Sequence, residues 1–355
     1  MSGPGGSGGG RVLSPTQTRD TVDSIARIQL ADGMIPWFPG GHCDPWNHVE
    51  AAMALTLGGR VAEAERAYGW LAATQHPSGA WFNYYLEDAI EDYRLDTNVI
   101  AYVATGVWQH FLMTRDHAFL TAMWPVVERA VEFVLRLQQP GGEVLWSIEP
   151  DGVTPGRYAL LTGSSSIYHS LRCAIAIAEH LAHERPEWEL AAGNLATAVA
   201  HKPDRFEPKE RWAMDWYYPV LSGALTGRAG RARILERWDE FVMDGLGVRC
   251  VSDNPWVTAA ETAECAIALC TIGMEDEAAL LLTWAQHLRD DDGAYWTGCV
   301  HPQCVRFPGG ERTTYTSAAV VLADTVLAGT GPTARLFRGE GLPVGLLSDP
   351  IPDPT

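Results

Sequence analysis

Lysine is nearly absent from the sequence, and positive charge as a whole is scarce. Lys202 and Lys209 are the two lysines in 355 residues, and 26 basic residues stand against 44 acidic ones, for a formal charge of -18. A protein that binds a polyanion needs a basic surface to neutralise the phosphates. The sequence therefore argues against nucleic acid as a partner.

Long apolar runs and a disulfide pattern are also missing. No stretch approaches the roughly 18 consecutive apolar residues of a membrane-spanning helix. The opening MSGPGGSGGGRVLSP has neither the basic nor the apolar region of a signal peptide. The seven cysteines are an odd number spread over a large chain, which suits a reducing compartment. We therefore predict a cytoplasmic protein with a flexible leader over residues 1–15 and no membrane association.

What the sequence does contain is a repeated helical hairpin. The segment CDPWNHVEAAMAL at 43–55 has a near copy, DNPWVTAAETAECAIAL, at 253–269. Each is followed by glycine, an acidic and apolar helix, tryptophan and a turn of glycine and aromatic residues. A polar and aromatic start that leads into an apolar helix of small residues occurs four more times, at 93–108, 163–181, 215–225 and 311–327.

Amphipathic segments with one charged face alternate with these six apolar helices. The alternation predicts an all-α protein, an (α/α)6 toroid whose inner ring is buried on all sides. An open solenoid would need polar end caps, whereas a closed ring does not. Closure also gathers all six inner helix starts at one end. We predict a single domain over residues 16–335, followed by a Pro/Gly-rich tail over 336–355.

The predicted helix starts are rich in acids and aromatic residues, and the 14 tryptophans are about three times the usual number. Carboxylates bind sugar hydroxyls while aromatic faces stack on the apolar side of the ring. Glycoside hydrolysis needs two carboxyl groups flanking the bond, one protonated and one ionised, and a crowd of acids keeps one protonated. We therefore predict a glycoside hydrolase acting on a polysaccharide or oligosaccharide, with Asp44 and Glu261 as the acid/base pair on nearly opposite sides of the ring.

Further site residues follow from the same reasoning. The other carboxylates that could take a catalytic role are Glu50, Glu264, Glu149 and Glu311. The predicted substrate-binding residues are Trp46, His48, Tyr84, Arg94, Asp96, Trp216, Tyr217, Trp256, Trp296 and Tyr315.

Each of these predictions has a purely structural alternative. Asp44 precedes Pro45 and could simply cap its helix. Glu261 and Glu264 lie three residues apart on one helical face and could form a solvated pair, although their neighbours are Thr, Ala and Cys rather than Lys or Arg. Asp96 could form an ion pair with the nearby arginine, and the tryptophans could belong to the core.

The chain resembles the six-hairpin glycosidases of the glucoamylase type over most of residues 20–330. HCDPWNHVEAAMALTLGG is similar to the W-x-R-D segment of that family, whose aspartate binds the sugar in the reacting subsite and corresponds to Asp44. LWSIEP resembles the L-W-E segment of the general acid, but Ser147 follows the tryptophan, which leaves Glu149 as a shifted candidate. GGERTTYTSAAVVLA resembles the last inner helix, near the general base.

More narrowly, the chain resembles a group of actinobacterial proteins often labelled prenyltransferase-like. Some members of that group hydrolyse intracellular methylmannose polysaccharides, which are α-(1→4)-linked polymers. The resemblance implies endo-α-(1→4)-mannosidase activity. We predict an inverting two-carboxylate mechanism and no cofactor, but the sequence leaves open the identity of the sugar, the choice between endo and exo cleavage, and the stereochemical outcome.

Two other functions remain open from the sequence. An isoprenoid transferase or cyclase could share the toroid, but it needs a zinc-bound thiol or an Asp-rich motif, and the chain offers CVHPQC and RDDDG. A non-catalytic carbohydrate-binding protein would keep the tryptophans without paired acids. Cys299, His301 and Cys304 are soft zinc ligands, yet their spacing is loose and a fourth ligand is not obvious. We therefore predict no metal.

Overall fold

The computed structural model describes residues 10–346 and is dominated by helices. The α-helices are α1 (Pro15–Ala26), α2 (Pro45–Leu57), α3 (Val61–Thr74), α4 (Thr97–Ala101), α5 (Val103–Thr114), α6 (His117–Leu135), α7 (Leu161–His180), α8 (Pro186–His201), α9 (Ala213–Leu221), α10 (Gly227–Glu236), α11 (Trp238–Phe241), α12 (Ala259–Thr271), α13 (Glu275–Trp284), α14 (Thr314–Leu327) and α15 (Pro332–Phe337).

A closed inner ring is formed by α2, α5, α7, α9, α12 and α14. Each of these helices packs against the next in the series, and α14 packs against α2 to complete the circle. The remaining helix of each pair lies outside: α3 on α2, α6 on α4 and α5, α8 on α7, α10 on α9, α13 on α12 and α14, and α1 across α14 and α2. The predicted (α/α)6 toroid is confirmed.

Sequence explains which helices lie inside. In α12 every residue from Thr262 to Cys270 is buried, because alanine, cysteine and threonine side chains are small enough for neighbours to pack on all sides. The outer helix α6 instead buries one stripe, including Leu120, Met123, Val127 and Val134, at helical spacing and leaves its charged residues outside.

Short strands frame one end of the ring. They are β1 (Tyr84–Leu86), β2 (Ala89–Asp92), β3 (Leu95–Asp96), β4 (Ser147–Ile148), β5 (Val242–Met243), β6 (Gly247–Arg249), β7 (Trp256–Thr258), β8 (Gly298–Val300) and β9 (Val305–Arg306). The first two strands form a hairpin, β3 pairs with β4, and β5 to β9 form an antiparallel meander in chain order.

The start of the described chain lies against the last inner helix. The backbone N–H groups of Val12 and Leu13 donate to Oδ1 of buried Asp324 on α14, at 2.8 and 3.0 Å. Arg11 Nη1 lies 3.1 Å from Oδ2 of the same carboxylate. Residues 1–9 of the predicted leader and 347–355 of the predicted tail lie outside the described residues, and the domain boundaries stay a prediction. Over residues 10–346 no helix has the length and apolar character needed to cross a bilayer.

Candidate active site

A cavity of about 350 Å³ opens at the end of the ring where the inner helices begin. Its walls come from the starts of α2, α4, α9, α12 and α14, from the loops around the β1–β2 hairpin, and from the sheet edge at β7. The lining residues are Trp37, Asp44, Trp46, Asn47, Glu50, Asn83, Tyr84, Asp96, Asn98, Val99, Trp146, Met214, Trp256, Thr258, Ala260, Glu261, Glu264, Thr297 and Tyr315.

Asp44 caps α2 and faces the cavity at the same time. Its Oδ1 accepts the backbone N–H of Asn47 at 3.0 Å, and Pro45 occupies the first helical position. Its Oδ2 accepts the Asn47 side-chain amide at 2.5 Å and the Trp37 indole N–H at 2.7 Å. Burial raises the pKa of Asp44, although these three donors work in the opposite direction.

Asp96 repeats this arrangement at the start of α4. Its Oδ1 accepts the backbone N–H groups of Asn98 and Val99, and its Oδ2 accepts the indole N–H of Trp146 at 2.5 Å. The pairing of β3 with β4 puts Asp96 opposite Ser147 and so brings the tryptophan alongside. Burial raises the pKa of Asp96 to about 6, and the charge of nearby Asp44 acts in the same direction.

The deepest carboxyl groups belong to Glu50 of α2 and Glu264 of α12. Tyr218 donates its hydroxyl to Oε1 of Glu264 at 2.6 Å, and the Tyr217 hydroxyl donates to Oε2. Burial raises the pKa of Glu264 to about 7, against the effect of the two hydroxyls. Burial, followed by the charges of Glu264 and Asp44, raises the pKa of Glu50 well above its usual range. This pair therefore retains a proton at neutral pH.

Glu261 stands one turn before Glu264 and nearer to solvent. The Thr258 hydroxyl, from the last residue of β7, donates to its Oε2. Tyr315 lies in the field of both predicted catalytic acids, because burial and then the charges of Glu261 and Asp44 raise its pKa. Since α14, which carries Tyr315, packs between α12 and α2, one helix separates the two acids. The expectation that they lie on nearly opposite sides of the ring is wrong.

Aromatic rings form much of the remaining wall. Trp37 meets Tyr315 and Tyr84 edge to face, at centroid distances of 5.0 and 5.9 Å. Trp46 is tilted over Tyr102 at 5.1 Å. Fixed aromatic planes beside hydrogen-bonding carboxylates suit a sugar ring, which has an apolar face and a rim of hydroxyls.

Comparison with known proteins identifies the family of the chain. No family model matches the chain. The chain is 50% identical over 335 residues to an MMP endo-(1,4)-3-O-methyl-alpha-D-mannosidase of Mycolicibacterium hassiacum, covering 94% of this chain and 92% of the relative. The chain belongs to the family of that mannosidase. It is a glycoside hydrolase.

Solved structures share the fold at low sequence identity. A glycosidase in complex with glucose superposes with a TM-score of 0.67 at 14% identity, covering 89% of this chain and 97% of the other. A GH63 mannosylglycerate hydrolase from Thermus thermophilus gives 0.68 at 13%, with coverages of 86% and 99%. A D-mannose isomerase gives 0.69 at 12%, with coverages of 93% and 100%. Because an isomerase shares the toroid, the fold alone does not fix the reaction.

Nine of the predicted site residues line the cavity of this member of the mannosidase family. They are Asp44, Glu50, Glu261, Glu264, Trp46, Tyr84, Asp96, Trp256 and Tyr315. Most of them line the cavity for the same reason. Residues at the N-terminal end of an inner helix point towards the ring axis at the open end of the ring.

Three predicted substrate-binding residues are instead buried in helix packing. His48 accepts the Ile35 N–H through Nδ1, and its Nε2 faces the Ala67 carbonyl at 2.9 Å. Trp216 donates to backbone carbonyls of α10 and stacks on Phe241 at 5.2 Å. Tyr217 is fully buried and holds Glu264 from behind. These three predictions are corrected because none of the side chains lines the cavity. His48 and Trp216 face the outer helices α3 and α10, and Tyr217 lies behind Glu264.

Four other predicted residues lie off the cavity wall. Arg94 lies over the Trp146 ring at 5.1 Å and within 3.9 Å of Asp92, so the alternative of an Arg94–Asp96 ion pair is also wrong. Trp296 packs against two arginine side chains. Glu149 and Glu311 belong to loops whose backbone groups hydrogen-bond Thr154 and Thr297, while their carboxyl groups are absent from the lining.

Sequence reasoning missed several lining residues that hold the acids. Trp37 precedes α2 in the segment IPWFPGG, with no helical periodicity to mark it. Asn47 and Asn98 follow Asp44 and Asp96 by three and two residues, a spacing that the sequence does display. An asparagine in the first turn after a capping aspartate was therefore a usable signal, whereas Asn83 and Thr297 had none.

Proposed function

We propose that the chain hydrolyses internal α-(1→4) bonds of a 3-O-methylmannose polysaccharide with inversion at the anomeric carbon. The observation that carries this proposal is the 50% identity, along 94% of the chain, to a relative whose name gives that activity. The cavity supports it, because carboxylates and asparagines can bind hydroxyls while the tryptophans can take the apolar ring faces and the methyl groups.

Asp44 and Glu261 form the acid/base pair in this proposal. Both carboxyl groups line one cavity from different inner helices, with Tyr315 in the field of both. Inversion requires room for a water molecule between the base and the sugar, with the acid on the other side of the bond. Carboxylates on α2 and α12, with α14 between them, suit that separation better than residues of one helix would.

The environments of the two carboxyl groups suggest their roles. Burial raises the pKa of Asp44, which favours the protonated form that a general acid needs. Glu261 is partly exposed and so has access to water. Glu261 takes a proton from that water while the water oxygen attacks the anomeric carbon. At the same time Asp44 gives its proton to the glycosidic oxygen, and the bond between that oxygen and the anomeric carbon breaks.

The other carboxyl groups position the substrate. Asp96, held by Trp146 and two backbone donors, offers fixed lone pairs to sugar hydroxyls. The Glu50 and Glu264 pair closes the inner end of the cavity, where a retained proton lets one of them donate a hydrogen bond. A buried acid that stays neutral at working pH can serve in this way.

An isoprenoid transferase is poorly supported by the same cavity. Among the described residues that line it, there is no Lys, Arg or His to pair with a diphosphate. Its five carboxyl groups would repel a diphosphate. A non-catalytic carbohydrate-binding protein would not require Asp44 and Glu261 to face a shared space.

The proposal is tested with α-(1→4)-linked 3-O-methylmannose oligomers, using mass spectrometry for chain lengths and proton NMR for the first anomer formed. Shortened internal fragments of the β-anomer are the expected products. D44N and E261Q should each lose about a thousandfold or more in kcat, because each removes a catalytic proton transfer. E149Q is the matched control and should remain near wild type.

Activated substrates separate the two roles. An aryl glycoside with a good leaving group needs no proton from the enzyme, so it should restore much of the activity of D44N and little of that of E261Q. Near-wild-type turnover by either variant on the polysaccharide would remove that residue from the pair. A cytoplasmic location is part of the proposal, and fractionation of cells that express the native protein tests it.

A further inference from the structure

Four metal-binding side chains meet at the edge of the five-stranded sheet, outside the cavity. They are His287, Cys299, His301 and Cys304, and their ligand atoms all lie within 4.8 Å of one another. Cys299 Sγ lies 3.2 Å from His301 Nε2, 3.7 Å from His287 Nε2 and 2.7 Å from Cys304 Sγ. The sequence supplied three of these residues, and the fold adds the fourth from the turn that follows α13.

We propose that these four residues bind one zinc ion as a closed structural site. Zinc binds thiolate sulfur at about 2.3 Å and imidazole nitrogen at about 2.0 Å, which puts the edges of a tetrahedral Cys₂His₂ site at roughly 3.3 to 3.8 Å. The sulfur–nitrogen distances are close to that range, and the two sulfur atoms need to separate by only about 1 Å. With four protein ligands no coordination position remains for water, so the zinc has no catalytic role.

The orientation of His287 supports metal binding independently of the cluster itself. Its Nδ1 lies 2.7 Å from the Trp284 carbonyl oxygen, to which it donates a proton. The other nitrogen, Nε2, is thereby left with its lone pair directed at Cys299. Metal-bound histidines are commonly held by a backbone carbonyl in this way, which fixes both the tautomer and the ring plane.

The position of the site in the fold indicates a structural role. Cys299 lies on β8 and Cys304 in the turn before β9, while His287 lies in the short 3-10 turn after α13. The metal therefore ties the β8–β9 hairpin to an outer helix. In the sheet, Val300 of β8 pairs with Trp256 of β7, and Trp256 lines the cavity. The zinc therefore stabilises the part of the sheet that forms the cavity wall.

Metal analysis of the full-length protein tests the proposal without any activity measurement. Protein purified under reducing conditions, without chelators or a metal-affinity column, is analysed by plasma mass spectrometry. About one zinc ion per chain is expected. Replacement by cobalt(II) should give the visible absorption bands of a tetrahedral site with thiolate ligands, and removal with a strong chelator should lower Tm because the metal binds the folded state.

His287→Gln and Cys304→Ser are the informative variants, because both side chains are at least partly exposed and their replacement leaves the core intact. Each should fall below about 0.1 zinc per chain and lose the cobalt bands while retaining the helical circular dichroism of the wild type. Cys270→Ser removes a cysteine of α12 that is not part of the cluster and should keep the full zinc content.

Two metal-free results would overturn the proposal. One is a folded wild-type protein that stays metal-free after dialysis against zinc and shows all seven thiols as free cysteines when they are titrated after denaturation. The other is a protein with two fewer reactive thiols and no metal, which would identify Cys299 and Cys304 as a disulfide pair. Stoichiometric iron in place of zinc would also contradict it.

Discussion

The indole N–H of Trp37 donates to Oδ2 of Asp44 at 2.7 Å, so the proposed general acid is held from a residue outside the inner ring. Tyr315 packs edge to face on the same indole at 5.0 Å. Trp37 thereby connects α2, which carries the acid, with α14, which separates the acid from the base. This contact makes Trp37 a positioning residue whose replacement should alter the pH profile as well as the rate.

Trp37→Phe should lower kcat/KM about tenfold or more, since a hydrogen bond to a charged group contributes about 1.5 to 3 kcal/mol. The lost donor stabilised the ionised carboxylate, so the pKa of Asp44 rises further and the basic limb of the kcat/KM profile moves to higher pH. Trp108→Phe, on α5 and stacked on Phe111, is the control and should leave the profile unchanged. An unshifted basic limb in the Trp37 variant would contradict the role of the acid.

Glu264 should make stability fall as pH rises towards neutrality. Its pKa is about 7 in the folded protein against a usual value of 4.5, so the folded state holds a proton that the unfolded chain has lost. Its stabilising contribution is fully present below pH 4.5 and is lost as pH rises through about 7. The free energy of unfolding, measured with urea across this pH range, should depend less on pH for E264Q than for wild type. The same pH dependence in E264Q and wild type would show that Glu264 titrates normally. E149Q serves as the control.

Glu50 should tolerate amidation better than truncation. Burial and the neighbouring carboxylates keep its carboxyl group protonated, so Glu50→Gln preserves both shape and charge state at neutral pH. Its free energy of unfolding should stay within about 1 kcal/mol of wild type, whereas Glu50→Ala should lose about 2 kcal/mol or more through the cavity it leaves. Denaturant unfolding measures both. A large loss for the glutamine variant would mean that Glu50 is ionised in the folded protein.

Trp216 and Trp256 should respond differently to mutation. Trp216 is fully buried and donates to backbone carbonyls of α10, so Trp216→Phe should cost about 1 to 3 kcal/mol of stability and leave KM unchanged. Trp256→Ala removes part of the cavity wall and should raise KM for the oligomers, with a smaller effect on stability. Thermal unfolding and steady-state kinetics together distinguish the two effects. An increased KM for Trp216→Phe would argue against its assignment to the core.

The toroid could be predicted because its signal is repeated. Small apolar residues fill each inner helix so that it can be buried all round, and this composition recurs six times at similar spacing. The five-stranded sheet could not be predicted in the same way. Its strands are two or three residues long, as in Trp256–Thr258, which is too short for an alternating pattern to appear. The prediction of an all-α protein therefore holds for the ring and omits the sheet that completes its cavity.

The candidate site was also predictable only in part. Asp44 and Glu261 were predictable because each lies at the start of an inner helix, and Asp96 because it lies at the start of α4, the short helix that leads into α5. The direction of a side chain within a buried helix could not be predicted. Trp216 and Trp46 have the same chemistry and differ only in the helix face on which they lie. Contacts between distant segments, such as Trp37 with Tyr315, depend on helix packing that no local pattern encodes.

The hydrogen bonds from Val12 and Leu13 to Asp324 join positions more than three hundred residues apart in the chain. During synthesis on the ribosome, Asp44 emerges early, but α14, the helix that separates it from Glu261, is translated after both acids. The catalytic pocket is therefore assembled only when the sixth hairpin docks against the first. A nascent or C-terminally shortened chain that ends before α14 would contain both acids without a complete pocket, so activity has to wait until α14 has been made.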